Sequence, residues 1–414
     1  MRQPDEQFAI FRKEWYNSRI SWQEDIKVEL YIYNKIAENE CVKGILNKDN
    51  IVLMRKIIEF AENCGITKES IREYIVTLLA DDDNVLSRIA QSGGKIGKDL
   101  HKIAYFDIDQ IYDKLFAASI KYTPSDNNKG YYTDYEKSIK RLTKSKDAKE
   151  LLENLIEHYR TLGTGELSRY CAFKYDGELE GISDIENVTF DSLIGLEYQK
   201  QTLIDNTAAF LKGRTANNVL LFGDRGTGKS SSVKALLNMF AHEGLRLIEL
   251  PKERIEDIPR LTKVLSQKPH KYILFLDDLS FEKHETEYRA LKIAMEGQLR
   301  ANPENVLIYA TSNRRHLIRE TWDERNGGDV HRNDQMQETL SLSERFGISL
   351  VFSAPNQREY LHIVEEMLKA RNIEMNGDIE KQAVVWQMNY GGSRSARCAK
   401  QFVAAYAAKT KEEK

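Results

Sequence analysis

One stretch, NVLLFGDRGTGKSSSVKALL at residues 218–237, constrains the fold of this chain more than any other. An apolar, strand-like run enters a glycine-rich turn and leaves as a helical pattern. The turn fits G-x-x-x-x-G-K-[ST] through Gly223, Asp224, Arg225, Gly226, Thr227, Gly228, Lys229 and Ser230. Glycines let the backbone curl with its N–H groups pointing inward at an anion. The helix that follows sets its positive end against the same charge. Lys229 is placed to reach the β- and γ-phosphates of a nucleotide, and the Ser230 hydroxyl to join a Mg²⁺ shell, with Ser231 next to it on the loop's exit. A glycine-rich surface turn is the plainer alternative, but it gives VLLF no reason to end there.

The rest of the chain sorts into four parts. Residues 1–168 read as a mostly helical domain. DIKVELYIYNKIAENECVKGIL and DAKELLENLIEHYRTLG carry apolar residues at helical spacing. TKESIREYIVTLLA does too, with Thr67 as N-cap, and Gly163 ends the DAKELL helix. Residues 169–186 form a junction built on a hairpin around Asp176-Gly177. From 187 to 354 short apolar runs (NVLLFG, LRLIEL, KYILFLDD, VLIYATS, ISLVF) alternate with helical patterns. That alternation predicts an α/β core with a parallel sheet covered on both faces. Residues 355–414 read as helices and a short charged tail.

Composition narrows the setting. Apolar residues make up 41% and charged residues 30% of 414, a globular balance. With 61 basic against 64 acidic residues the net charge is −3, so no overall field marks a nucleic-acid or membrane-surface protein. The four cysteines form no C-x-x-C pair. There is no secretion-signal pattern and no run of 18 apolar residues. The expected location is the cytoplasm, away from membranes.

Four further segments supply chemistry. In KYILFLDDLSF an apolar strand ends at Asp277 and Asp278. A carboxylate there, one strand-helix unit after the phosphate turn, suits Mg²⁺; Asp277 takes that part and Asp278 polarises a water. In VLIYATSNRR, Asn313 can align that water through its amide. In SLSERFGISLVF, Arg345 precedes a strand and can neutralise γ-phosphate charge in a neighbouring subunit. YGGSRSARCAKQF opens a late helix with Arg394 and Arg397, either of which can reach back to the γ-phosphate. Each has a bland counterpart: an acidic turn, a strand-end Asn, a solvated Arg, a basic helix face.

In this order these elements resemble an AAA+ ATPase over about residues 187–408. Leu193, Ile194 and Gly195 in FDSLIGLEYQKQTL resemble the adenine-side segment, GDRGTGKS is Walker A and ILFLDD is Walker B. Asn313 is similar to sensor 1, Arg345 to the arginine finger and Arg394 to sensor 2. LFLDDLSFE, TSNRRHLI and SLSERFGISLVF further resemble a bacterial family of predicted AAA+ ATPases without an assigned function. The resemblance implies a five-stranded parallel sheet with a helical lid. It also implies ATP and Mg²⁺ as ligands, held between the subunits of a ring, usually a hexamer. The second Walker B acid is Asp278 where the family commonly has Glu, one methylene longer, which predicts slow hydrolysis. The polar stretch 319–340 is expected to be a loop, and His331 in it has no companion ligands.

Three uses of ATP follow. The first is remodelling of a protein or assembly, with the helical N-terminal domain as the adaptor to an unknown partner. The second is nucleic-acid loading, for which Lys137, Lys140, Arg141, Lys144, Lys146 and Lys149 offer a basic patch without interleaved aromatics. The third is a slow nucleotide switch. Residues 251–265 lack the aromatic-glycine pair of a threading pore loop.

Overall fold

The computed structural model describes residues 30–47, 50–64, 70–116, 133–280, 286–296, 303–313, 345–389 and 394–412. The chain forms two compact units, Met1–Cys171 with Gln267–His270, and Ala172–Ser266 with Lys271–Lys414. The loop expected at 319–340 and the N-cap expected at Thr67 lie outside the described residues.

The first unit is helical: α1 (Asn34–Glu38), α2 (Glu40–Asn47), α3 (Asn50–Cys64), α4 (Ser70–Asp81), α5 (Val85–Gln91), α6 (Lys98–Leu115), α7 (Thr133–Thr143), α8 (Ala148–Thr161) and α9 (Glu166–Arg169). Apolar faces at helical spacing make one core, with Ile75, Leu79, Ile108, Ile111, Leu151, Leu155 and Tyr159 all fully buried. Asp107 is also buried, and its carboxylate accepts the backbone N–H groups of Tyr31, Ile32 and Tyr33 at 2.6–3.2 Å. That satisfies a buried charge and anchors the start of α1. Asp147 caps α8, and Gly163 follows the helix at φ +81° as its left-handed terminator. Residues 267–270 pack here as well. Lys268 donates to Gln91 at 2.9 Å, and His270 bonds the Leu162 carbonyl at 3.0 Å.

The second unit is built on one seven-stranded sheet in the order β2-β1-β4-β5-β6-β3-β7. The strands are β1 (Ala172–Tyr175), β2 (Leu179–Ile182), β3 (Val219–Gly223), β4 (Leu245–Glu249), β5 (Lys271–Leu276), β6 (Val306–Ser312) and β7 (Ile348–Phe352). Among the described residues only the β1–β2 pair is antiparallel. Where five parallel strands were expected the sheet has seven, and the five apolar runs fall on β3 to β7. The sheet is wider than five because the Asp176-Gly177 hairpin joins it, β1 pairing in parallel with β4 from Ala172↔Leu247 to Lys174↔Glu249. β1 buries Ala172, Phe173 and Tyr175, so this hairpin covers an edge that β4 would otherwise expose. β5 is buried without a break from Tyr272 to Leu276, as a central parallel strand requires.

Helices α10 (Glu197–Leu211), α11 (Lys229–Phe240), α12 (Ile258–Leu265) and α13 (Thr286–Glu296) accompany the sheet. Beyond β7, α14 (Gln357–Lys369), α15 (Gly377–Asn389) and α16 (Ala396–Glu412) make a helical bundle. Its core is Tyr360, Val364, Leu368, Ala383, Ala399 and Phe402. No helix among the described residues is long and apolar enough to cross a membrane.

A titration test follows from the first unit. His158 is fully buried and shares a 2.9 Å hydrogen bond with Ser138 through Nδ1. Burial, and then Arg141, pushes its pKa down from 6.5 to about 3. Below pH 6.5 the unfolded chain takes up a proton that the folded unit refuses until about pH 3. Stability is therefore lost as pH falls through that window, by at most about 1.4 kcal/mol per pH unit from this one group. Urea unfolding followed from about pH 7 down to about pH 4 should show a shallower acid slope for His158→Gln than for the parent chain.

Candidate nucleotide-binding site

The C-terminal ends of β3, β5 and β6 open into one cavity of about 1350 Å³. In a parallel sheet this is where loops splay apart and ligands are held. The phosphate turn forms its floor. Gly226 and Gly228 sit at φ +74° and +99°, conformations that glycine adopts without strain. Gly228 then caps α11, whose first residue is Lys229. Gly223 is at φ +134°, and a Cβ there would lie 2.2 Å from the Phe352 carbonyl oxygen. Two further bonds close this seam. Asp224 N–H donates to Phe352 O at 2.9 Å, and the Asp224 carboxylate accepts Ala354 N–H at 2.7 Å.

Lys229 is largely buried, and burial lowers its pKa against the opposing pull of Asp224, Asp278 and Asp277. Its ammonium donates to the carbonyls of Gly223 (2.9 Å) and Asp224 (2.7 Å) and to Asn313 Oδ1 (3.1 Å). Ser230 Oγ donates to Asp277 Oδ1 at 2.6 Å, bringing together the two oxygens expected to serve a metal. Thr311 Oγ1 donates to the same carboxylate oxygen at 2.5 Å and accepts Asp278 N–H at 2.8 Å. Asp278 is in the left-handed region, φ +53°, and its carboxylate accepts the Asn313 amide. Asn313 thus bridges Lys229 and Asp278.

Leu193 and Ile194 line the cavity, Leu193 beside Gly228 of the phosphate turn, with Met367, Ala370 and Val403 of the helical bundle also on it. These apolar surfaces suit the faces of a base. Gly195 precedes α10 at φ +70°, with nothing within 4 Å of its Cβ direction. Arg225, Gly226, Gly228, Ser230 and Ser231 line the cavity, while Thr227 is buried and bonds the Asp224 carbonyl at 2.8 Å.

The two late arginines part company. Arg397 lines the cavity, and its N–H donates to Gly226 O at 3.3 Å, so α16 begins against the phosphate turn. Arg394 is not among the lining residues; it is half-buried, with Nε buried and unpaired among the described residues. Arg345 lies outside the cavity too. It precedes β7, which runs parallel to β3, so it sits at the sheet end opposite the phosphate turn. Sequence reasoning did not single out Thr311, Met367, Ala370 or Val403. Only Thr311 left a trace, as a polar residue inside a buried apolar strand.

The family described as "Protein of unknown function (DUF815)" matches residues 168–410, more than half of the chain and all of the cavity. The chain belongs to this family. No curated protein matches it in sequence. Similar solved structures include the Aeropyrum pernix Orc1 protein in complex with DNA, at 19% identity over 53% of this chain and 61% of that one, TM-score 0.38. A proline-to-glycine mutant of Thermotoga maritima RuvB shows 17% identity over 52% and 64%, TM-score 0.37. The FIGL-1 AAA domain in complex with ADP shows 17% over 55% and 92%, TM-score 0.33. These are distant likenesses, and the chain spans less than two thirds of the length of the first two.

The seam at Gly223 is directly testable. Gly223→Ala should cost on the order of 2–3 kcal/mol, since Phe352 O is backbone and cannot swing aside. Urea unfolding should register that loss together with weaker binding of a fluorescent ATP analogue. Gly97→Ala, with open space around it and an ordinary φ, is the control.

Proposed function

We propose that this protein is a Mg²⁺-dependent AAA+ ATPase whose sites are completed between copies of the chain. The observation that carries the reading is convergence. An ammonium (Lys229), a hydroxyl–carboxylate pair (Ser230 and Asp277) and a carboxylate–amide pair (Asp278 and Asn313) meet in one cavity at adjacent strand ends. These are the groups that phosphoryl transfer to water needs.

The roles follow from position. Backbone N–H groups of the phosphate turn and Lys229 hold the β- and γ-phosphates. Ser230 and Asp277 offer two adjacent oxygens, a donor set that fits Mg²⁺ with phosphate and water completing its shell. When bound, Mg²⁺ offsets negative charge on those phosphates. Asp278 accepts a proton from the attacking water and Asn313 orients that water. Leu193 and Ile194 pack on the base. Arg397 is the lid arginine best placed to meet the γ-phosphate, since it lines the cavity, with Arg394 behind it. Arg345 serves another copy's site, because its own strand carries it to the far end of the sheet. That geometry favours a homo-oligomeric ring, a hexamer being the common form.

The work driven is remodelling of a protein or protein assembly, with the helical first unit as adaptor, in the cytoplasm. A nucleic-acid loader is the less favoured use. One observation supports a slow switch as a second reading: Asn313 engages both Lys229 and Asp278, so nucleotide must break that bridge before the base is free.

Steady-state ATP turnover against protein concentration separates these readings. For a working ring the specific rate rises with concentration. Lys229→Ala, Asp278→Asn and Arg345→Ala each lose about 10²-fold or more. Arg397→Ala should lose more than Arg394→Ala. ATP binding with negligible turnover in the assembled protein would leave the switch reading. No ATP binding at all would sink both.

A further inference from the structure

We propose that Thr311 is a positioning residue that holds Asp278 in a left-handed turn, and that this turn fits the site to Asp rather than Glu. The proposal rests on the ATPase reading above.

Thr311 lies near the end of β6, hydrogen-bonded in register beside β5 on one side and β3 on the other, and is 1% exposed. It fastens three successive residues. Its hydroxyl donates to Asp277 Oδ1 (2.5 Å) and accepts Asp278 N–H (2.8 Å), and its carbonyl accepts Leu279 N–H (2.7 Å). The single hydroxyl proton and a lone pair are both in use. The bonds flank the left-handed backbone of Asp278, at φ +53°. A side chain other than glycine costs roughly 1–2 kcal/mol there, and Asp and Asn tolerate the region better than longer residues. Such a conformation persists where its surroundings over-determine it. Thr311 supplies that determination.

The turn sets where the carboxylate goes. From this backbone the short side chain of Asp278 already reaches the Asn313 amide. A Glu on the same backbone would carry its carboxylate a methylene farther, past that amide, and would sit less well at positive φ. Asp278 is then matched to its turn, and Thr311 keeps the match. Valine has nearly the same shape as threonine but no hydroxyl. It would leave Asp278 N–H without its partner and Asp277 Oδ1 with Ser230 alone. Serine keeps the hydroxyl.

The test uses the 414-residue chain and four proteins: parent, Thr311→Val, Thr311→Ser and Asp278→Glu. Thermal melts confirm that each is folded. For Thr311→Val, kcat for ATP should fall by about 10- to 100-fold, the scale of a small misplacement of a reacting group. KM and metal-free binding of a fluorescent ATP analogue should stay within about twofold, and Thr311→Ser should recover most of the rate. Asp278→Glu should be slower than the parent by about tenfold or more. A Thr311→Val enzyme as fast as the parent, or an Asp278→Glu enzyme faster than it, overturns the proposal. A parent chain that binds ATP without turnover defeats the ATPase reading instead. Hydrogen exchange at the Asp278 amide, followed by nuclear magnetic resonance, then decides. Faster exchange in Thr311→Val, restored in Thr311→Ser, supports the positioning role, and equal exchange in all three removes it.

Discussion

The seam between the end of β3 and the end of β7 is the constraint on which the site depends. Gly223 has no room for a Cβ against the Phe352 carbonyl, and Asp224 bonds the same strand through its N–H and its carboxylate. Two parallel strands are thus held together at the point where one becomes the phosphate turn and the other leaves for the helical bundle. β7 carries Arg345 ahead of its first residue, and past Ala354 it leads to Asn356, which caps α14. A single backbone junction therefore ties the glycine-rich turn to the strand that Arg345 precedes and to the root of the bundle that lines the cavity. Movement of the bundle would be felt at the seam first.

The seam also explains what the sequence could and could not disclose. The phosphate turn was legible because its chemistry demands glycines at fixed spacing, followed by Lys229 and Ser230. The strand ends bearing Asp277, Asp278 and Asn313 were legible because buried parallel strands read as unbroken apolar runs. Strands β3 to β7 of the seven fall on those runs. The 172–182 hairpin was readable as a hairpin. Its attachment to β4 was not, because Ala172 and Leu247 pair from distant parts of the chain and leave no local mark. Arg394 and Arg397 are three residues apart near the start of one helix. Only the packing of α16 against Gly226 places one of them on the cavity. Thr311 was hidden differently, since threonine is a common strand residue and its two hydrogen bonds lie on a neighbouring strand.

Lys229, Asn313 and Asp278 form the electrostatic axis of the cavity. The ammonium is costly to bury, and two carbonyls of its own turn and the Asn313 amide oxygen satisfy it. Nucleotide phosphates would offer the same ammonium stronger, charged acceptors. Once Lys229 turns to them, Asn313 loses one of its two partners while its amide nitrogen still faces Asp278. In the proposed mechanism Asp278 and Asn313, as base and aligning amide, would therefore be linked to the occupancy of the phosphate turn. They are linked through one side chain rather than through a shift of the sheet.

That linkage gives the Asp in place of Glu a consistent meaning. A short carboxylate on a left-handed turn is bonded to Asn313 without reaching across the cavity, so the site closes on itself. Its release depends on what the nucleotide does to Lys229, and on whether Thr311 keeps the turn in place while Asn313 lets go. In the proposed ATPase the rate would follow how far that bridge opens when ATP is bound. The length of the side chain matters through the turn, because from this backbone Asp278 meets the Asn313 amide and a longer side chain would overshoot it.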